Sequence, residues 1–393
     1  MQGYPARSTE CILNLTENRI HVPKVPMQNT LKPFVFINGD GGTGRGAEMV
    51  RRIIFANLPT VDVPLHVDAR LQTKDQCIAD AVEALKLHGS GFKNSTASND
   101  SRIVAAGLKS ANIAMRPMAR AFCMLRMLQS SGKYSLGGGV ARFAHGGFYD
   151  ETSFQIIQKG VRGRRVAYTS QKMDVDALVP FAELASQIAE KHGFHIVLSS
   201  KSTIAESEFC FRQEIERVWK SLELEPGEAK NGAWTGDYHH ELTDVALAGL
   251  ATPGTPFADG GMLMVCDNPN GDTASDIMDF IHGGRSMGSR VYCETDKPGQ
   301  WFSYEELPGG TADGKTTGPL RGKNFLFPLP IIFAMCSAAE KVNPDQKTFF
   351  DAVRRETVKY LEETPTEKRD TEAMIAQVAD QSRDALRIPE VTH

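Results

Sequence analysis

Short apolar runs alternate with amphipathic segments over most of the chain. The apolar run Phe34–Ile37 precedes the glycine-rich stretch NGDGGTGRG, and a helical pattern starts at Ala47. Further on, DQCIADAVEALKLHG is amphipathic and ends at Gly89, and VPFAELASQIAEKHG ends at Gly193, directly before the strand-like FHIVLSS. This alternation is typical of α/β proteins with a largely parallel sheet. In such sheets, binding groups collect where strands end and loops begin.

Three further stretches extend the pattern. TDVALAGLA has helical spacing and precedes GGMLMVC, a strand-like run that ends in a turn. Between Gly137 and Met173, glycines give way to alternating β-type residues, which indicates a small β-rich insertion. A chain of 393 residues is long enough for two lobes. The helical, charged stretch from Asp345 to Ile388 is expected to pack on the outside of the larger lobe.

Composition narrows the class of protein. The chain is 41% hydrophobic and 23% charged with a formal net charge of −4, so it lacks the basic surface that nucleic acid requires. The longest apolar run, FLFPLPIIFAMC, is too short to span a bilayer. The seven cysteines show no CxxC spacing, and the N-terminus does not resemble a signal peptide. We therefore expect reduced thiols in a cytoplasmic protein that binds neither nucleic acid nor membrane.

The stretch NPNGDTASD carries an acidic pair, Asp272 and Asp276. Four residues apart on a helix, the two carboxylates share a face and repel each other. A hard divalent cation such as Mg²⁺ or Mn²⁺ would turn that repulsion into attraction, because such ions take oxygen ligands. The alternative is an N-cap at Asp272, with Asp276 on a solvated face. The spacing alone leaves both interpretations open.

Other stretches carry weaker signals. NGDGGTGRG is compatible with a phosphate cradle or a plain tight turn, and it matches neither the GxGxxG fingerprint nor a P-loop. SANIAMR and ARFAHGGFY look loop-like, and the arginine in each is either a surface charge or a fork of donors for carboxylate or phosphate. Lys201 ends a strand-like run, where a lysine is either solvated or tuned for acid–base chemistry.

Taken together, these stretches resemble the isocitrate dehydrogenase family, within the isocitrate/isopropylmalate dehydrogenase superfamily, and in particular its eukaryotic-type NADP-dependent branch. SANIAMR resembles SPNGTIR, and ARFAHGGFY resembles GRHAYGDQY. LSSKSTI is similar to LSTKNTI, and YHHELTDVALA to YEHRLIDDMVA. NPNGDTASD is similar to NYDGDVQSD. Matches in this order are more specific than any single motif, so the metal interpretation of the acidic pair becomes the favoured one.

The resemblance implies a role for each matching residue. It implies Tyr149 and Lys201 as the catalytic proton-transfer pair, and Asp244, Asp272 and Asp276 as the metal ligands. The residues implied to bind the substrate are Thr96, Ser98, Ser110, Asn112, Arg116 and Arg142, together with Arg126 as the neighbour of a family arginine position. The residues implied at the cofactor site are Glu306, Gly309, Gly310, Thr311, Lys315 and Phe327.

The resemblance also implies a two-lobed α/β fold with a parallel or mixed sheet. A large cofactor-side domain would comprise 1–119 and 283–393, and a smaller α/β domain with the metal, substrate and dimer surfaces would comprise 120–146 and 194–282. A shortened, clasp-like β-rich insertion would comprise 147–193. The implied assembly is a homodimer whose active cleft lies between subunits, with the lysine and the Asp244-type ligand donated by the neighbour.

The implied reaction is metal-dependent oxidative decarboxylation of a 2-hydroxy-3-carboxylic acid, isocitrate or a close analogue, to a 2-oxo acid, CO₂ and NAD(P)H. Two departures bear on it. The family's next substrate arginine falls on Leu125, beside Arg126, and "GTI" has become "IAM", which opens a phosphonate analogue such as phosphonomethylmalate as an alternative substrate. EELPGGTADGK lacks the histidine and the Arg-His pair of EAAHGTVTRH, which favours NAD over NADP and opens a non-redox tricarboxylate-binding descendant as a further alternative.

Overall fold

Ten of the strands form one mixed sheet. The computed structural model describes residues 31–97, 100–128, 138–144, 151–158, 165–230, 233–250, 252, 261–281, 286–293, 302–305 and 328–386. In chain order the strands are β1 (Phe34–Asn38), β2 (Thr60–Pro64), β3 (Ser90–Lys93), β4 (Ala121–Leu128), β5 (Gly138–Phe143), β6 (Glu151–Gln158), β7 (Arg165–Gln171), β8 (His195–Ser199), β9 (Ala229–Lys230), β10 (Ala233–Trp234), β11 (Tyr238–Glu241), β12 (Met262–Cys266), β13 (Ser286–Cys293) and β14 (Phe302–Glu305).

The spatial order of the large sheet is β11-β8-β12-β5-β4-β13-β14-β3-β1-β2. The strands β11, β8, β12 and β5 run parallel to one another, and so do β14, β3, β1 and β2. Between these two groups, β4 and β13 pair antiparallel with each other and with their outer neighbours. The predicted α/β fold with a parallel or mixed sheet is confirmed.

Helices cover both faces of this sheet. Among the described residues the α-helices are α1 (Gly41–Ile53), α2 (Val67–Thr73), α3 (Gln76–His88), α4 (Ser101–Ala105), α5 (Ala111–Met118), α6 (Leu178–His192), α7 (Glu206–Ser221), α8 (Thr243–Leu250), α9 (Asn268–Ile281), α10 (Pro328–Val342), α11 (Lys347–Glu363) and α12 (Thr371–Ser382). None of the helices in the described part of the chain is both long and apolar enough to cross a membrane.

Two glycines end helices as the apolar periodicity predicts. Gly89 follows α3 with a φ of 78°, and Gly193 follows α6 with a φ of 65°. A left-handed backbone at the residue after a helix is accessible to glycine without a Cβ penalty. Each glycine therefore stops its helix just before the next strand, β3 or β8.

Helix α1 begins at Gly41, six residues before the predicted start at Ala47. The reason is tertiary: the two carboxylate oxygens of Asp40 accept the backbone N–H groups of Val67 at 2.8 Å and Ala97 at 2.9 Å. These bonds hold the residue before the helix in place, so the helix forms across glycines of poor intrinsic propensity. The glycine-rich stretch is thus a helix start and not a plain tight turn.

One large apolar cluster joins the sheet to its covering helices. Phe143 of β5, Phe181 of α6 and Phe211 of α7 pack with ring centroids 5.3 to 6.2 Å apart. The C-terminal helices α11 and α12 pack against α10 and α1 and bring Phe350 and Met374 into the same cluster. The predicted C-terminal helices therefore supply part of the core as well as an outer layer.

The predicted β-rich insertion corresponds in part to a separate ribbon. Strands β6 and β7 pair antiparallel with each other, outside the large sheet. Helix α6, inside the interval 147–193, instead buries Phe181 and Ile188 in the main cluster. Strand β5, inside the Gly137 to Met173 stretch, belongs to the large sheet. The domain boundaries drawn from the resemblance stay predictions.

Candidate active site

Four parallel strands bring candidate residues to one edge of the sheet. Arg142 lies near the carboxyl end of β5, and Lys201 follows β8. Asp244 follows β11, and α9 begins two residues after β12. Because these four strands run parallel, their carboxyl ends share an edge, which is where ligands bind in open α/β sheets.

Helix α9 carries the acidic pair within its length. The helix begins at Asn268, so Asp272 and Asp276 both follow its first turn. The interpretation of Asp272 as an N-cap is therefore wrong. The Asp272 side chain is 30% exposed and that of Asp276 is 63% exposed. The two carboxylates lie one turn apart and remain accessible to a ligand.

Two buried arginines face this acidic pair. Both guanidinium side chains are at most 6% exposed. Arg126 Nη1 donates to Asp276 Oδ1 at 2.7 Å, and its Nη2 lies 3.7 Å from Asp272 Oδ1. Arg142 Nη1 donates to Asp272 Oδ1. The positive charges of the arginines offset the repulsion between the two carboxylates.

Uncharged residues that the sequence did not single out hold the two arginines in place. Arg126 Nε donates to Ser289 Oγ at 2.9 Å, and its Nη1 donates to Ser275 Oγ at 2.5 Å. Arg142 Nε donates to Asn268 Oδ1 at 2.8 Å. Asn268 and Ser275 could have been predicted, because both lie in NPNGDTASD, the stretch that carries the acidic pair. Ser289 lies in another segment, and it comes within reach of Arg126 only because β4 and β13 pair.

Gly271 lets the helix approach β5. A Cβ at this position would lie 2.7 Å from the Cβ of Arg142 and 2.8 Å from its Cγ. Contacts that short are not tolerated, so any larger residue would push α9 away from the strand. The glycine therefore brings the neighbouring Asp272 within reach of Arg142.

The alternation of side chains along β4 explains why Leu125 occupies the position where the family pattern has an arginine. Leu125 is 5% exposed and belongs to the large apolar cluster, whereas Met124 belongs to a second cluster on the other face of β4. Successive side chains on a strand point to opposite faces. Arg126 thus faces α9 while Leu125 faces the core. The site keeps an arginine on β4, one residue after the position that the family pattern predicts.

Lys201 and Asp244 form a pair of their own. Lys201 Nζ contacts Asp244 Oδ1, and this hydrogen bond holds the pKa of Asp244 below its ordinary value. Within the described residues, no group of three or more His, Cys, Asp or Glu side chains is arranged to hold a metal ion. A single chain therefore brings Asp272 and Asp276 together but does not add Asp244 to them.

A half-buried carboxylate, that of Glu208, connects two of these segments. Glu208 accepts the backbone N–H of Lys201 and the side-chain amide of Asn270, the latter at 2.9 Å. Burial first, and the charge of Glu208 second, raise the pKa of Asp267 to about 7. Neither carboxyl was predicted from the sequence. Together they link the segment after β8 to the start of α9.

The stretch SANIAMR is helical, contrary to the expectation of a loop. Helix α5 carries Asn112 and Arg116, and Ser110 is its N-cap residue. Its Ala111 shares an apolar cluster with Ala144, which follows β5. The predicted substrate residues of α5 thus stand on a helix packed near the end of the strand that carries Arg142. Likewise, the ARF of ARFAHGGFY lies in β5 and not in a loop.

Several buried polar atoms, on the segment after β3 and on α5, make no hydrogen bond within the described part of the chain. These atoms are the Asn94 side-chain amide Nδ2 and Oδ1, Thr96 Oγ1 and Asn112 Oδ1. Buried polar groups are rarely left without partners, so these atoms suit a ligand that supplies them. Strand β14, which ends at Glu305 opposite Lys93, leads from this place into the predicted cofactor segment.

Eight predicted site residues lie outside the described residues, and their roles stay predictions. They are Ser98, Tyr149, Glu306, Gly309, Gly310, Thr311, Lys315 and Phe327.

The chain is similar to known proteins over the region that contains this site. The model of the isocitrate/isopropylmalate dehydrogenase family matches residues 129–313, which include Arg142, Lys201 and the three aspartates. The mitochondrial NADP isocitrate dehydrogenase of Aspergillus niger is 26% identical over 334 residues, or 76% of this chain. Over these residues the chain is similar to the isocitrate/isopropylmalate dehydrogenase family, from whose members it diverges strongly in sequence. It spans 64% of the length of the Aspergillus niger relative.

Other relatives and solved structures of isocitrate dehydrogenases extend the comparison. NADP isocitrate dehydrogenase 1 of Mycobacterium tuberculosis is 24% identical over 318 residues, covering 70% of this chain and 73% of that protein. The structure of the Ostreococcus tauri enzyme, in complex with isocitrate and magnesium(II), aligns with a TM-score of 0.73 at 19% identity, over 89% of this chain and 99% of that one. The Methylococcus capsulatus enzyme aligns with a TM-score of 0.68 at 14% identity, over 90% of this chain and 100% of that one.

The cofactor preference predicted from the sequence is not supported. The Aspergillus niger and mycobacterial relatives are named as NADP enzymes. The prediction of NAD rested on residues lost within 306–315 and on Phe327 in place of an asparagine, and all of these lie outside the described residues.

Proposed function

We propose that the protein catalyses the metal-dependent oxidative decarboxylation of isocitrate, with NADP as the hydride acceptor. The observation that carries this proposal is the arrangement of Arg126 and Arg142 around Asp272 and Asp276 at the carboxyl edge of the sheet. Two buried guanidinium groups suit a polyanionic substrate, and two carboxylates suit a hard cation. Neither the phosphonate substrate nor the non-redox alternative is favoured by the comparisons.

The donor set fits Mg²⁺ or Mn²⁺. Asp272 and Asp276 offer oxygen ligands on one helix face, and both carboxylates stay partly exposed. Such ions bind through one or two carboxylates together with substrate and water. Asp272 and Asp276 would hold the divalent cation, which would supply Lewis acidity toward the 2-hydroxyl and the adjacent carboxylate of the substrate.

The chain itself would bind the anionic groups and move the protons. Arg116, Arg126 and Arg142 would attract the carboxylates of isocitrate through their positive charge. NADP, when bound, would supply the acceptor for the C2 hydride, and the carboxylate at C3 would then leave as CO₂. Lys201 Nζ would take the proton of the 2-hydroxyl, and the hydroxyl of Tyr149 would return a proton to C3.

An assay tests the reaction. With Mg²⁺ or Mn²⁺ and isocitrate, we expect NADP reduction and CO₂ release in equal amounts, and faster reduction of NADP than of NAD. The panel should include other 2-hydroxy-3-carboxylic acids and phosphonomethylmalate at equal concentrations. Reduction only with the phosphonate would contradict isocitrate as the substrate, and no reduction with any partner would contradict the redox activity.

We further propose a homodimer in which Lys201 and Asp244 complete the site of the other subunit. The support is that these two residues pair with each other and not with Asp272 and Asp276. A two-fold symmetric dimer would bring each pair to the opposite chain's acidic helix.

Subunit mixing tests the shared site. Lys201→Met and Asp272→Asn are each expected to be inactive alone. Reassembled from equal amounts, they should recover about one quarter of wild-type activity, since half of the dimers are mixed and each has one intact site of two. Each variant mixed with excess wild-type protein controls for loss of assembly. If the equal mixture stays inactive while mixed dimers form, both residues act within one chain.

A further inference from the structure

A cavity of about 530 Å³ lies on the face of the sheet opposite the acidic helix. Helices α6, α10 and α11 and strands β4 and β13 contribute its lining. This volume falls within the range of organic ligand sites, roughly 300 to 1,000 Å³. None of the residues proposed for the substrate or the metal lines it.

One part of the lining is apolar. Leu125, Ile188 and Phe333 are buried members of the large cluster and border the cavity. Tyr292 adds an aromatic ring to the same wall. An apolar wall of this kind favours a flat ring or a short hydrocarbon, because it removes apolar surface from water.

Another part of the lining is cationic. Lys191, on the exposed end of α6, takes part in no ion pair within the described part of the chain. Arg290 donates to the hydroxyl of Tyr292 at 3.1 Å. Arg354 contributes no net charge, because Glu340 and Asp351 pair with it at 2.7 and 3.2 Å.

Two further basic groups lie within range of these cations. Burial first, and then the charges of Lys191 and Arg290, lower the pKa of His192. Burial and the charge of Arg290 also lower the pKa of Lys341. Lys191 and Arg290 thus lie close enough to act on the same imidazole, and an anion bound at the two cations would be attracted by both.

The cavity shares its wall with the candidate active site. Leu125 and Arg290 are cross-strand partners that line the cavity, and Arg126 and Ser289 are the next pair along the same two strands. A ligand in the cavity would therefore contact the strands that position Arg126.

We propose that this cavity is a second binding site, which takes an organic phosphate ester with its phosphate at Lys191 and Arg290 and its apolar group against Leu125, Ile188 and Phe333. A phosphate dianion matches two cations, and the apolar wall matches the organic part. A small polycarboxylate would leave that wall exposed to water.

The probe 1-naphthyl phosphate carries both features, and its halves are 1-naphthol and inorganic phosphate. In equilibrium dialysis or calorimetry, we expect the whole probe to bind at least about tenfold more tightly than either half, because each part adds its own contacts. Lys191→Gln should weaken binding by at least about tenfold, since a charge-assisted hydrogen bond is lost. The matched control Lys220→Gln, an exposed lysine of α7 that does not line the cavity, should bind as wild type.

A cavity-filling variant and a competition experiment test whether the probe binds in this cavity and not in the active site. Gln187→Trp fills the cavity from an exposed position on α6 and should also weaken binding. Saturating NADP or isocitrate with Mg²⁺ should not displace the probe. Undiminished binding in both cavity variants, displacement by NADP, or no binding at all would overturn the proposal. Each of these results is independent of whether the protein turns over isocitrate.

Discussion

Asp272→Asn should lower kcat/KM for isocitrate by at least about a hundredfold, because even a residue outside the direct ligands of a metal typically costs 10- to 100-fold when removed. The substitution removes a carboxylate that Arg142 contacts and that faces Asp276 along α9. Steady-state kinetics at saturating Mg²⁺ and again at tenfold higher Mg²⁺ will separate weakened cation binding from lost chemistry.

Thermal unfolding provides a readout that does not depend on turnover. A ligand that binds only the folded state raises its stability, so Mg²⁺ should raise the Tm of the wild-type protein. That increase should vanish in Asp272→Asn and persist in Asp380→Asn, a control on an exposed aspartate of α12. A normal Mg²⁺ response together with normal activity in Asp272→Asn would exclude Asp272 as a ligand.

Arg126→Gln should weaken substrate binding but leave Mg²⁺ binding intact, unlike Asp272→Asn. We expect the KM for isocitrate to rise at least about tenfold, since charge-assisted hydrogen bonds to an anion contribute about 1.5 to 3 kcal/mol each. The Mg²⁺-dependent increase in Tm should remain, because the variant keeps both carboxylates and removes a positive charge next to them. Kinetics and unfolding on the same preparation give both readouts.

The control for Arg126→Gln is Arg217→Gln. Arg217 is an exposed arginine of α7 that pairs with Glu214, far along the chain from the acidic helix. It should match the wild type in KM and in its response to Mg²⁺. If Arg126→Gln also keeps a wild-type KM, Arg126 serves only to hold α9, and the substrate contact belongs to other residues.

Part of the fold could be predicted because its signals are local. The runs that became β1, β8 and β12 are short and apolar, and α3 and α6 have clear helical spacing with a glycine after each. These patterns depend on neighbouring residues alone, so they hold whatever the tertiary arrangement. The start of α1 could not be predicted in this way, because contacts of Asp40 with two distant segments stabilise it.

The candidate site shows the same division. The resemblance of ordered motifs identified the acidic pair and the arginine of β5, and the structure brings these residues together. The resemblance could not decide whether Arg126 replaces the family arginine that is missing at Leu125. That depends on which face of β4 meets α9. Ser289 was missed because its contact with Arg126 exists only through the pairing of β4 and β13.

By itself, then, the sequence determined the class of fold, most of the elements and the chemical types gathered at the strand ends. The tertiary structure alone decided which side chains meet: Arg126 with Asp276, Lys201 with Asp244, and Leu125 with the cavity instead of the site. The physical reason is range. Periodicity and helix caps act over a few residues, whereas ion pairs and cavity walls join residues distant in sequence, whose positions depend on the packing of the whole sheet.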